Sequence, residues 1–164
     1  MEALECLRTR RSLRSFLPDT IAKETIEQIV DAGRLAPTAR NVQPWEFVVV
    51  EDASMRKQLA GIMEYGKFIA QAPVCIVVLC QDCKYYLEDG CAATTNMLLA
   101  AHGLGLGACW VAGDKKPYAE NVRKLLGAPE DFRLVASIAL GKPSGTGTRA
   151  AKRPLSEMLH WEQY

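Results

Sequence analysis

The sequence predicts an α+β domain, and three observations carry that expectation. Apolar residues recur at helical spacing in Ile26, Ile29, Val30 and Leu35. Short β-branched or wholly apolar runs stand at 46–50, 74–80, 109–112 and 134–140. These runs are separated by further helical stretches, helix-rich overall, with about four or five strands. A chain of 164 residues is long enough for one domain with a substantial core. The whole of 1–164 therefore reads as a single domain, and no internal repeat is visible.

Residues 2–9 read as a first helix. Thr20 is placed to cap a second, over about 21–35. Residues 46–50 make a strand, Asp52 caps a helix over about 53–63, and 67–71 form another short helix. The run 74–80 is continuously apolar and bounded by Pro73 and Gln81, the pattern of a strand buried on both faces. Asp89 is expected to cap a helix over 90–102 that Gly103 ends. Strands at 109–112 and 134–140 then flank a helix over 117–126, opened by Pro117, a good first-turn residue.

The helix over 90–102 (GCAATTNMLLAAH) carries no Asp, Glu, Lys or Arg and is small or apolar nearly all round. Such a helix must be covered on every side. We expect the sheet to cover one face and a second subunit the other, which predicts an obligate dimer. From 141 to 153 the chain turns to Gly, Ser, Thr, Ala and base. Beyond it Leu155, Met158, Leu159 and Trp161 form a tail too apolar to stay solvated. Residues 142–164 are thus expected to act as an arm that docks on this domain or on a partner subunit.

The formal net charge of +1 supplies no field for nucleic acid or a membrane surface. The longest apolar runs fall far short of the ~20 residues of a membrane helix. The start of the chain (MEALECLRTRRS) lacks the apolar core of a signal peptide. A cytoplasmic location is expected, with the six cysteines mostly reduced.

Arg8, Arg10, Arg11 and Arg14, with Ser12 among them, place planar phosphate-matching forks beside a hydroxyl donor. A second basic set, Arg149, Lys152 and Arg153, lies near the other end. Either set alone reads as solvated charge. Together, in a nearly neutral chain, they point to an anion site of mononucleotide size rather than a nucleic-acid face. The stretch 36–45 (APTARNVQPW) adds backbone donors, amides and an aromatic wall suited to a flat ligand with polar edges.

Gly103, Gly105 and Ala108 formally match G-x-G-x-x-G/A, but a helix precedes them and a strand follows. A dinucleotide loop needs the reverse order, so these glycines are read as a turn. Cys80, Cys83 and Cys91 raise a redox or zinc reading, yet no second C-x-x-C or His pair completes four ligands. His102 reads as a local helix-end residue, and no Ser-His-Asp arrangement or carboxylate pair stands out. Chemistry without an evident acid, base or nucleophile suggests a borrowed cofactor.

The residues carrying these features resemble those of the nitroreductase family in its short single-domain form. The matching stretches are 10–16 (RRSLRSF), 32–45 (AGRLAPTARNVQPW), much of 90–113, 139–143 (ALGKP) and 152–155 (KRPL), in order along almost the whole chain. The resemblance implies a nitroreductase-like fold, with a central mixed or antiparallel sheet flanked by helices. It also implies an intertwined homodimer binding FMN at the subunit interface. Carried over by position, Arg10, Arg11, Ser12, Lys152 and Arg153 would hold the phosphate and ribityl chain. Arg14 would face the N1–C2=O edge and stabilise the anionic reduced flavin. From the other subunit, Pro37, Thr38, Ala39 and Asn41 would pack against and hydrogen-bond the ring. Trp110, Val111, Ala112 and Gly113 would line it, with a backbone N–H near Ala112 or Gly113 towards N5.

The implied activity is an FMN-dependent oxidoreductase working by a ping-pong scheme. NADH or NADPH is the donor, and a small electron-poor molecule such as a nitroaromatic or quinone is the acceptor. No dedicated catalytic acid or base is expected. The alternatives are a flavin-binding sensor or store, or another FMN reaction such as dehalogenation or flavin cleavage.

Overall fold

The computed structural model describes residues 1–148 and 150–164. Among the described residues five α-helices and four strands run in the order α1 (Ala3–Thr9), α2 (Lys23–Arg34), β1 (Trp45–Val50), α3 (Ala53–Ile62), β2 (Val74–Gln81), α4 (Tyr86–Gly103), β3 (Gly107–Ala112), α5 (Ala119–Leu125) and β4 (Phe132–Gly141). Short 3-10 turns occupy Ala39–Asn41, Lys67–Gln71 and Leu155–Glu157. The strands form one sheet in the order β1-β2-β4-β3, and every neighbouring pair is antiparallel. The mixed-or-antiparallel expectation thus resolves to antiparallel, with one isolated parallel bridge, Ser12 to Ala108, beside the β3 edge.

Helices cover both faces of the sheet. On one face Ile26 and Ile29 of α2 and Ala93, Met97 and Ala101 of α4 pack against Ile76, Val78 and Ile138. On the other, Leu59 of α3, Ile69 and Val122 of α5 pack against Cys75, Val77 and Leu79. The unbroken apolar run of β2 is explained by this sandwich, since no residue from Val74 to Cys80 is more than 1% exposed. Between Val78 and Leu79 the β2–β4 register slips around Val135, a bulge in the ladder. Beside it Gly90 lets α4 approach the sheet: a Cβ there would meet Val135 Cγ2 at 2.7 Å and Cys80 Sγ at 2.9 Å.

Three sequence expectations are corrected here. Thr20 does not cap α2; Ala22 holds that position without a side-chain bond. Asp89 does not cap α4, which starts earlier at Tyr86 and places Asp89 inside its first turn. The outer side of α4 is not left wholly to a partner. Asn96 Nδ2 donates to the Ala32 carbonyl at 3.1 Å, and Gly33 of α2 abuts Met97. By contrast Asp52 does cap α3, accepting the Met55 N–H at 2.7 Å. The glycines at 103–107 do turn a helix into a strand, with Gly105 at φ +78°.

Candidate functional site

The N-terminal segment leaves α1 and runs along the outer edge of β3, where the Leu13 N–H donates to the Ala108 carbonyl at 3.0 Å. This lays Arg10, Ser12 and Arg14 beside the sheet. A cleft of about 590 Å³ opens there, lined by Arg8, Arg10, Arg11, Ser12, Arg14 and Lys152, with Thr148 adding a hydroxyl. The two basic sets, remote in sequence, meet as expected through Lys152. Arg153 turns away: its Nη2 donates to the Glu157 carbonyl at 2.9 Å within the tail. Arg149 lies outside the described residues.

The cleft is electropositive, and its neighbours register that. His102, whose Nε2 lies 2.8 Å from Thr9 Oγ1, has its pKa lowered below 6.5 by burial, then by Arg10 and Arg11. Burial raises the Cys109 thiol, while Arg14, Ser12 and Arg10 pull the other way. Arg11 Nη1 is held by the Arg8 and Arg10 carbonyls, at 2.8 and 2.6 Å. The Arg14 guanidinium sits over the Phe68 ring, 5.8 Å from its centroid, a cation–π contact that parks the charge at the sheet edge. This donor set, guanidinium and ammonium groups with two hydroxyls, fits a phosphate such as that of FMN.

The register of β3 decides which amide can meet a flavin ring. Gly113 N–H donates to the Val135 carbonyl at 3.0 Å and is therefore spent in the ladder. Antiparallel pairing alternates, so Ala112 and Trp110 direct their N–H groups to the open edge instead. Of the two amides named from sequence, Gly113 bonds within the sheet and Ala112 faces its open edge. Gly113 has a packing reason to be glycine, since a Cβ there would press on Leu134 Cγ.

The loop after α2 has a different setting. Arg40, Asn41 and Gln43 adopt φ of 55°, 58° and 53°, a left-handed conformation that asparagine tolerates and that costs roughly 1 kcal/mol at Arg40 and at Gln43. Thr38 Oγ1 donates to Asp89 Oδ2 at 2.7 Å, and the Ala39 N–H donates to Asp89 Oδ1 at 3.2 Å. Gln43 N–H returns to Thr38 Oγ1 at 3.1 Å. The Thr38 hydroxyl proton and the Ala39 amide are thus engaged inside the protein. This loop lines a separate small cavity with Cys83, Lys84 and Tyr85, not the cationic cleft.

Sequence reading missed Asp89, Phe68 and Thr148. Asp89 had a visible signal: with Glu88 it places a carboxylate at the head of a helix that carries no further Asp, Glu, Lys or Arg. The cysteines offer little chemistry. Burial first, then Asp89, Cys83 and Cys91, push the Cys80 thiol up to about 12, and burial likewise raises Cys91. Among the described residues no group of three or more His, Cys, Asp or Glu is arranged to hold a metal ion. Nor, among them, is any helix long and apolar enough to cross a membrane.

The model of the "Nitroreductase family" matches residues 7–73 and 63–142. A "Putative NADH dehydrogenase/NAD(P)H nitroreductase" of Methanothermobacter thermautotrophicus is 34% identical, over 100% of this chain and 88% of the relative. The crystal structure of a protein of the same description from Bacteroides thetaiotaomicron superposes with a TM-score of 0.94 at 34% identity, covering 99% of this chain and 98% of that one. The structure of a "putative nitroreductase in complex with FMN" from Desulfovibrio desulfuricans gives 0.89 at 32% identity, covering 100% and 98%.

Proposed function

The chain belongs to the nitroreductase family, and from that premise we propose an FMN-dependent NAD(P)H oxidoreductase that reduces small electron-poor acceptors such as nitroaromatics or quinones. When bound, FMN supplies the redox chemistry, taking hydride from the nicotinamide and passing electrons to the acceptor that replaces it. The single observation that carries this reading is the cationic cleft beside the open edge of β3. The protein's own part is to bind and orient. Arg10, Arg11, Ser12 and Lys152 hold the phosphate and ribityl chain, and Arg153 reaches it only if the tail rearranges. Arg14 offers a fixed positive charge where reduction builds negative charge. Trp110, Val111 and Ala112 line the ring, and the Ala112 N–H is the donor on its edge.

We infer that the working unit is a homodimer. Ala39 and Arg40, in the loop that carries Pro37, Thr38 and Asn41, line a different cleft from Arg10, Arg11 and Arg14 of the same chain. A flavin touching both sets takes them from two chains. Leu4 and Leu7 of α1, together with Leu155 and Trp161 of the tail, stand exposed and need cover. The reading of the tail as an arm is supported by a groove of about 630 Å³ along α2 and the edge strand β1, where Ile26, Val30, Trp45, Phe47 and Val49 are flanked by charged residues such as Lys23 and Glu27. All six cysteines are free thiols, which supports a reducing, cytoplasmic setting.

The visible spectrum of the purified protein, followed by anaerobic NADH and then NADPH, tests the function. A flavin band that bleaches is expected. A flavin that neither nucleotide reduces would favour a sensor or store, and failure to bind FMN at all would end the proposal.

A further inference from the structure

We propose that Asp89 is the positioning residue of the flavin-facing loop, holding residues 38–43 in a turn whose Arg40, Asn41 and Gln43 are left-handed. The inference rests on the reading of 37–41 as flavin contacts, and it assigns the role to a residue on another element. Asp89 is only 5% exposed and lies in the first turn of α4, where the helix N-terminus favours a negative charge. Its two oxygens are divided between the Thr38 hydroxyl and the Ala39 N–H. The Gln43 N–H then closes on the same hydroxyl, so one carboxylate organises both ends of the turn. Between these anchors Arg40 and Gln43 hold φ values that their side chains disfavour. Local preference alone would relax them. A buried charge-assisted pair of bonds is the restraint on the page that opposes this. The base of the carboxylate is itself fixed, because Gly90 seats α4 against Cys80 and Val135.

The role predicts a selective defect. Loosening the loop removes contacts to the flavin ring and leaves the phosphate cleft intact, so FMN and riboflavin should weaken by the same factor. Loss of Lys152, by contrast, should weaken FMN and spare riboflavin.

The test combines fluorescence-quenching titrations of FMN and riboflavin with amide hydrogen exchange over 38–43, on the full chain. The variants are Asp89→Asn, which keeps the shape, and Thr38→Val, at a half-buried position where folding is less at risk. Losing one charge-assisted bond predicts ~10- to 100-fold weaker binding of both flavins. Exchange of 38–43 should quicken while that of β2 and β4 stays as in the parent. Unchanged exchange in Asp89→Asn would overturn the inference, as would quicker exchange with flavin affinity within about twofold of the parent. A defect confined to FMN would also overturn it. Failure of the unsubstituted protein to bind either flavin would instead remove the underlying reading of the site, and with it this role.

Discussion

Tyr118, just before α5, donates its hydroxyl to the carbonyl of Ala112 at 2.6 Å. The same peptide gives its N–H, that of Gly113, to Val135. The 112–113 peptide is therefore clamped at both ends, and the clamp sets the direction in which the preceding Ala112 N–H faces the open edge. Tyr118→Phe removes this part-buried hydrogen bond and is expected to cost about 0.5–1.5 kcal/mol. Urea or thermal unfolding checks this, and an unchanged midpoint would show that water replaces the hydroxyl at no cost. Burial, then Glu64, raises the Tyr118 phenol above its usual pKa of 10. Its contribution is fully present below the unfolded value and fades as pH climbs through the higher folded one.

Arg14 is expected to tune the flavin rather than anchor it. Its charge is held over Phe68 at the sheet edge, free of any carboxylate among the described residues. Arg14→Ala should lower the two-electron potential of bound FMN by on the order of 30 mV, about 1.4 kcal/mol, and slow turnover. A potentiometric titration of the holoprotein reads it. An unaltered potential and rate would take Arg14 out of the mechanism.

His102 reports on the phosphate cleft from outside it. Burial, Arg10 and Arg11 depress its pKa, while Glu5 opposes them and Thr9 bonds the ring. A depressed histidine adds stability above its unfolded value and loses it as pH falls through the folded one. A bound phosphate offsets the arginine charge, so FMN should move the His102 pKa upward and bind more tightly as pH falls through that range. With only His102 and His160 in the chain, an NMR titration of the ring protons with and without FMN decides the matter. No movement of His102 would place the phosphate elsewhere.

The elements were legible where local chemistry and tertiary role agree. β2 announced itself because a strand covered on both faces has no polar alternation to hide, and Asp52 capped the helix its side chain favours. Asp89 misled for the opposite reason. A carboxylate near a helix start reads as a cap, and only the fold brings Thr38 and Ala39 to it from across the chain. The Arg10 and Lys152 clusters could be paired by charge, but the bond that turns Arg153 towards the tail in the single chain has no signature in composition. Choosing Ala112 over Gly113 needed the register of β3 on β4, which composition does not encode.

The tail carries the sharpest prediction about assembly. Every residue from 150 to 164 is exposed in the single chain, including Trp161 at 79% and Leu155 at 68%. Apolar side chains of that size are not kept in water by a lone protomer without an offsetting gain. The groove along α2 and β1 offers them apolar cover, and β1 as an edge strand offers unpaired backbone. Removing 154–164 leaves Lys152 and Arg153 in place while deleting the arm. Light scattering after size exclusion should then show a dimer for the full chain and a monomer, or a dimer dissociating on dilution, for the shortened one. On the proposed two-chain site the loop at 37–41 comes from the second chain, so FMN affinity should fall in parallel. A shortened protein that stays dimeric with unchanged FMN affinity would assign the interface to α1 and α4 alone. A monomeric full chain that still binds FMN would overturn the two-chain site.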